Sequence, residues 1–173
     1  MQKDDHPGSI IASRSTHSWW TRALLVLAPV FFVVDQWCKS QVMRAESSLS
    51  HLVGAVGIEP LHNTRLFIWI PVPSWLLLVL TSVVFFAATA LLVLTRGRRS
   101  AVQTVALSWI LWGGASNLID RIRFDATIDY LRIGGIVANI ADFLIIAGIL
   151  MLLLWPHTSS NSDHTNLLPT KNS

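Results

Sequence analysis

The sequence predicts an all-α membrane protein of four transmembrane helices with a small extramembrane β-sheet on the outer face. Three observations carry that reading. Of the 173 residues, 52% are hydrophobic and only 13% charged, against about 25% charged in a soluble domain. Four apolar runs approach the roughly 20 residues that a helix needs to cross a bilayer core of about 30 Å. Two segments between the runs carry short β-branched and aromatic stretches flanked by turn residues.

The first run covers 19–37, with an uninterrupted core only at 23–34. Lys3, Arg14 and Arg22 precede it, as in a secretory signal. The core gives way to Asp35-Gln36-Trp37-Cys38-Lys39, with no small-x-small cleavage pattern, so the run is read as a retained membrane helix. The second run, 72–94, holds no charge; the third covers 101–119; the fourth, 133–155, is interrupted by Asn139 and Asp142. The short connection "TRGRRS" places Arg96, Arg98 and Arg99 between the second and third runs, and the positive-inside rule makes it cytoplasmic. Four spans then put both termini in the cytoplasm and segments 40–71 and 120–133 outside. There "RLFIWIP" at 65–71 and "TIDYLRI" at 127–133 read as two strands able to pair with each other. Residues 1–18 and 157–173 read as cytoplasmic tails around a membrane domain at 19–156, the second disordered because it is rich in Ser, Asn and Thr.

Composition also excludes. A formal charge of +3 without a basic stripe argues against nucleic acid. The single Cys38 rules out an intrachain disulfide, and bulky Trp37 before it argues against lipidation. There is no Cys/His cluster, no HExxH and no Gly-rich phosphate loop, so neither metal nor cofactor is expected. Ser108 and Ser116 have no nearby His to activate them.

Polar residues at membrane depth are functional candidates, because desolvating them is costly. Asp35 and Lys39 are four apart, acid first, and can pair on one helical face or bind substrate. Asn117, Asp120 and Arg121 share a face at the end of the third run, one turn after Gly113 and Gly114, where small residues let helices approach. Asp120 reads as part of a network closing that helix, with Arg121 and Arg123 as its cations. Asp125 reads as an incidental loop residue. Asp129 stands in an apolar strand and, if extended, faces the same way as Thr127 and Leu131. Asn139 and Asp142 are three apart inside the fourth run, and Asp142 has no cation one turn away. Two carboxylates meeting at one site can share a proton and activate water for attack on a peptide carbonyl. Asp129 and Asp142 are the pair without a local ion-pair partner. A proton or ion pathway through Asn117, Asn139 and Asp142 is the competing reading.

The pieces "DQWCK" at 35–39, Asn63-Thr64, "GGASNLIDR" at 113–121, "IDY" at 128–130 and "NIADF" at 139–143 together resemble the bacterial lipoprotein signal peptidases (signal peptidase II). The resemblance runs from about residue 20 to 155. It implies a four-helix aspartic endopeptidase of the bacterial cell membrane, active near the outer surface. Its substrates would be prolipoproteins carrying a diacylglyceryl group on the cysteine after the cut. It assigns catalysis to Asp129 and Asp142. Asp35, Lys39, Asn63, Gly113, Asn117, Arg121 and Asn139 fall on positions that shape or support the site. It implies no cofactor, and partners limited to prolipoproteins and membrane lipids around a monomer. Arg65-Leu66 and Ser116 depart from the family pattern, which keeps open a paralogue that binds lipoproteins without cutting them.

Overall fold

The computed structural model describes residues 19–45, 51–53, 56–66, 70–97 and 99–154. The tails expected at 1–18 and 157–173 lie outside the described residues. Four helices form: α1 Trp19–Ala45, α2 Ser74–Leu94, α3 Ala101–Phe124 and α4 Ile140–Leu154. Six strands lie in the connections: β1 His51–Val53, β2 Val56–Asn63, β3 Arg65–Leu66, β4 Ile70–Pro71, β5 Thr127–Ile133 and β6 Ile136–Ala138.

By length and composition, two of these helices are able to cross a membrane, Trp19–Arg44 and Ser74–Leu94. In α2, 21 residues carry no charge, and only Leu77 and Ala88 are buried. Its exposed flank includes Val79, Val83, Val84, Phe86 and Leu91. An apolar face that continuous marks contact with something other than water. Helix α1 continues through Pro29, which cannot donate a backbone hydrogen bond. Nearby, the Trp109 indole donates to the Leu24 carbonyl at 2.9 Å, tying α1 to α3.

Helix α3 is the centre of the bundle. It starts in a capping box, with Ser100 accepting from the Gln103 amide and the Gln103 side chain accepting from Ser100. It packs most closely on α4 through two reciprocal glycine contacts. A Cβ on Gly113 would lie 2.6 Å from the Ala141 carbonyl oxygen, and one on Gly148 would lie 2.6 Å from that of Ala106. Each helix thus presses a glycine against the other's backbone, as small residues allow. Asp125 ends α3 in the left-handed region (φ 55°), its amide returning to the Arg121 carbonyl at 3.1 Å. The loop residue read as incidental is a helix stop; Asp is among the few non-glycine residues that visit this conformation readily.

The fourth apolar run is not one helix. Its first residues finish β5, turn at Gly134-Gly135 and form β6, so α4 begins only at Ile140. Hydropathy alone cannot separate a buried strand from a helix of the same composition. Asp142 therefore lies in the first turn of α4 rather than deep inside a span.

The expected strand pairing is also corrected. Residues 127–133 do not pair with the described parts of 65–71, Arg65–Leu66 and Ile70–Pro71; residues 67–69 lie outside the described residues. Strand β5 lies between β2 and β6 in an antiparallel sheet ordered β1-β2-β5-β6, while β3 pairs only with β4. Val56 and Ile58, on the same strand face, register with Ile133 and Leu131, and β2 then bulges before Leu61 meets Asp129. Two paired strands leave long unsatisfied edges, whereas β2 and β6 supply both of β5's. Nor does β5 alternate in burial: Thr127, Ile128, Asp129 and Tyr130 are all buried, because this half is covered on both faces.

Candidate active site

The turn into α4 sets the geometry. Asn139 precedes the helix, and its side-chain oxygen accepts from the Asp142 amide at 2.9 Å. The Asp142 carboxylate returns to the Asn139 amide at 3.3 Å. This reciprocal pair is a capping box with Asp in the third helical position. The three-residue spacing seen in "NIAD" thus has a local structural cause. The same cap fixes where Asp142 points, with its other oxygen accepting from the Asn117 amide group at 2.8 Å.

Asn139 is fully buried and serves both carboxylates. Its amide nitrogen donates to Asp129 at 2.7 Å, to the Asn117 side-chain oxygen at 3.2 Å and to the Ile128 carbonyl at 3.4 Å. Asn63, at the end of β2, donates to the other Asp129 oxygen at 2.9 Å. The C-terminal end of α3, the N-terminal end of α4 and the start of β5 therefore converge on one polar cluster. Burial, and then the negative charge of Asp142, push the Asp129 carboxyl up to about 7. The Asn63 and Asn139 hydrogen bonds and the Lys39 charge pull it the other way.

Beneath this cluster lies a second one. Lys39 Nζ sits 2.8 Å from Asp35 and 2.7 Å from Asp120, and all three side chains are buried. The cation of Asp120 is Lys39, not Arg121 or Arg123 as the sequence suggests. Only the fold brings α1 against the end of α3. Asp35 also accepts from the Ser116 hydroxyl at 2.6 Å, the Tyr130 hydroxyl at 2.9 Å and the Ile140 amide at 3.0 Å. Asp120 accepts from the Ile128 amide at 3.2 Å and from Gln36 at 3.3 Å. Each carboxylate flanking Lys39 thus holds a backbone amide close to one of the two upper aspartates: Ile128 beside Asp129, and Ile140 two residues before Asp142.

Arg121 donates to the Thr81 hydroxyl of α2, which in turn donates to the Leu77 carbonyl at 2.7 Å. Its Nε is buried without a hydrogen-bond partner among the described residues, as is the Thr127 hydroxyl. Gly113 contributes through the close α3–α4 approach one turn below Asn117.

The nine residues that the family resemblance assigns to the site therefore meet at one end of the bundle. Sequence reasoning misses four companions: Gln36, Thr81, Ser116 and Tyr130. Ser116 carries a readable signal, since it is four residues before Asp120 on the same helical face. It accepts from Gln36 at 2.8 Å and from Lys39 at 3.1 Å while donating to Asp35, so it joins α1 to α3. Among the described residues, no three His, Cys, Asp or Glu side chains group as a metal site.

Known proteins align with this arrangement. A lipoprotein signal peptidase of Oleidesulfovibrio alaskensis is 31% identical over 144 residues, covering 75% of this chain and 90% of that protein. One from Streptococcus thermophilus is 28% identical over 139 residues, covering 76% and 90%. One from Halothermothrix orenii is 38% identical over 88 residues, covering 50% of this chain and 59% of that protein. A solved structure described as a bacterial membrane enzyme shares the fold with a TM-score of 0.64 at 17% identity, covering 86% of this chain and 94% of that one. A second such structure gives 0.60 at 16% identity. The profile of the family described as Signal peptidase (SPase) II matches residues 27–157, and the chain belongs to that peptidase family.

Proposed function

We propose that this chain is a membrane aspartic endopeptidase that removes the signal peptide from diacylglyceryl-modified prolipoproteins, with Asp129 and Asp142 as its catalytic pair. One observation carries the reading: the buried Asn139 donates to two carboxylates from different elements, its side chain to Asp129 and its backbone amide to Asp142, and Asp129 is raised to about 7. Four carboxylates crowd this end of the bundle, where, among the described residues, Lys39 and Arg121 are the cations that the site brings in. Sharing a proton between Asp129 and Asp142 lowers that excess of negative charge.

With the proton on Asp129, Asp142 takes a proton from water as its oxygen attacks the scissile carbonyl carbon. Asp129 passes its proton to the carbonyl oxygen, leaving a tetrahedral diol. Asp142 then returns its proton to the departing amide nitrogen as the C–N bond breaks, and the diol gives a proton back to Asp129. No metal or organic cofactor enters. Asn63, Asn117 and Asn139 orient the two carboxylates; Asp35, Lys39 and Gly113 hold the elements that carry them; Arg121 bounds the substrate cleft.

The four helices all cross the membrane, with both termini cytoplasmic and the active site near the outer surface. The arginines at 96–99 and the uncharged, outward-facing α2 support that placement. The enzyme acts as a monomer among membrane lipids. Confinement of the polar network to one end argues against an ion pathway, which needs polar groups through the full depth. Purified protein incubated with a synthetic diacylglyceryl prolipopeptide tests the reading. Cleavage before the modified cysteine, abolished in Asp129→Asn and in Asp142→Asn, is the expected result. Proton flux in liposomes without cleavage would replace it with the conductor, and binding without cleavage would replace it with the paralogue.

A further inference from the structure

The opposite end of the same helices carries a different feature. A groove of about 550 Å³ opens there, lined by Trp20 and Leu24 of α1, Val102 and Val105 of α3, and α4 side chains that include Ala147 and Leu150. Its walls are apolar, and its size falls in the range of small-ligand sites. The segments around it hold no acidic residue: none occurs in 19–34, 95–119 or 143–154. They do hold Arg96 and Arg99 just before α3; Arg22, two residues from both Trp20 and Leu24, lies on the opposite face of α1 from those lining residues. Two nitrogens of the Arg99 guanidinium, Nε and Nη1, are buried without a hydrogen-bond partner among the described residues. Arg22 and Arg96 are exposed. The start of α3 is closed by Ser100 and Gln103, so the arginines rather than free helix amides supply the positive field.

An apolar slot near a guanidinium whose buried nitrogens find no partner among the described residues complements one molecule in both parts. We infer that this groove is a binding site for an anionic phospholipid of the cytoplasmic leaflet, with an acyl chain between α1 and α4 and the phosphate against the arginine cluster. Basic pockets between membrane helices on the cytoplasmic side take anionic headgroups in this way. The inference rests on the membrane placement proposed above but not on the catalytic assignment, because no groove residue belongs to the aspartate cluster. The bound lipid fills the splay between α1 and α4 and neutralises a charge that the described residues leave unpaired.

Full-length protein in neutral detergent, titrated with phosphatidylglycerol or phosphatidylcholine of matched chains and read by native mass spectrometry, tests this. The wild-type chain is expected to retain one phosphatidylglycerol with at least tenfold preference, since each basic residue near an anionic lipid contributes about fivefold. Combined Arg96→Gln and Arg99→Gln should reduce that preference below about threefold. Ala147→Trp should displace either lipid by filling the groove; Leu150→Trp, at a more exposed position, provides the same readout where the first variant does not fold. Equal retention of the two lipids, or a preference unchanged in the arginine variant, would overturn the site. Intact lipid preference in a protein that cleaves no prolipopeptide would sink the peptidase reading and leave this one standing.

Discussion

The two ends of one bundle are built on opposite principles. At the aspartate end, α1, α3 and α4 meet through buried Asp35, Lys39, Ser116, Asn117, Asp120 and Asn139, nearly every polar atom satisfied by another. At the other end the same helices part around an apolar groove, and Arg99 holds two buried nitrogens without a partner among the described residues. Between them lie the two glycine contacts at Gly113 and Gly148, where α3 and α4 touch backbone to backbone. The contrast separates two demands. A fully connected polar network fixes carboxylates in one geometry but tolerates little change. An apolar groove adapts to its filling and fixes nothing by direction.

The largest effect that tests this contrast is on catalysis. Asp129→Asn and Asp142→Asn should each lower the rate of prolipopeptide cleavage by at least 10²- to 10⁴-fold, the usual contribution of positioned acid–base groups. Both variants should still reach the membrane fraction and keep their helical circular dichroism. Loss of helix content in both would make these residues structural instead.

Next comes the buried ion triad. Lys39→Met leaves two buried carboxylates without their cation, a change that typically costs about 3–5 kcal/mol. Unfolding in detergent should show it as a large drop in midpoint. Arg22→Gln, an exposed charge at the other end, should stay within about 0.5 kcal/mol. Equal destabilisation by the two changes would erase the distinction between the ends.

The glycine pair sharpens the contrast because its clashes are matched. Gly113→Ala and Gly148→Ala each set a methyl 2.6 Å from a backbone carbonyl oxygen. Both should destabilise by about 1–3 kcal/mol, as overpacking does. Only the first displaces Ala141, adjacent to Asp142, so kcat should fall in Gly113→Ala and remain close to wild type in Gly148→Ala. Cleavage kinetics at a temperature where both variants are folded read the difference.

Much of this is legible in the sequence, and all but one of the failures share one cause. Helix positions follow from the length of apolar runs, and the nine site residues follow from polar groups placed where polarity is costly, together with the family resemblance. Pairing is not legible. Spacing assigns Asp120 to the arginines beside it, yet its partner is Lys39, 81 positions earlier and on another helix. Composition matches β5 to an aromatic stretch, yet its neighbour is the Gly- and Pro-containing β2. Ser116 reads as a neutral small residue and is a three-way hydrogen-bond centre. Each depends on which helix faces which, information that spacing along one element does not contain. The start of α4 fails differently, because the residues at 133–138 are as apolar as a membrane helix.

The smallest effect, and the most specific to the aspartate end, is in pH dependence. The Asp129 carboxyl is raised from 3.8 to about 7 by burial and the charge of Asp142. Between those values the folded chain holds a proton that the unfolded chain has released. The associated stability is therefore fully present below about pH 4 and lost as pH rises through about 7. Catalysis that needs one shared proton should likewise decline above about pH 7, and should fall at low pH as the second carboxylate protonates, giving a bell whose two apparent constants belong to the pair. The Asn63 hydrogen bond opposes the rise at Asp129, so Asn63→Ala should move the alkaline side of the bell to higher pH while leaving lipid selectivity at the groove unchanged. A single sigmoid in the wild-type rate, or an alkaline side that does not move in Asn63→Ala, would mean that Asp129 does not hold the working proton.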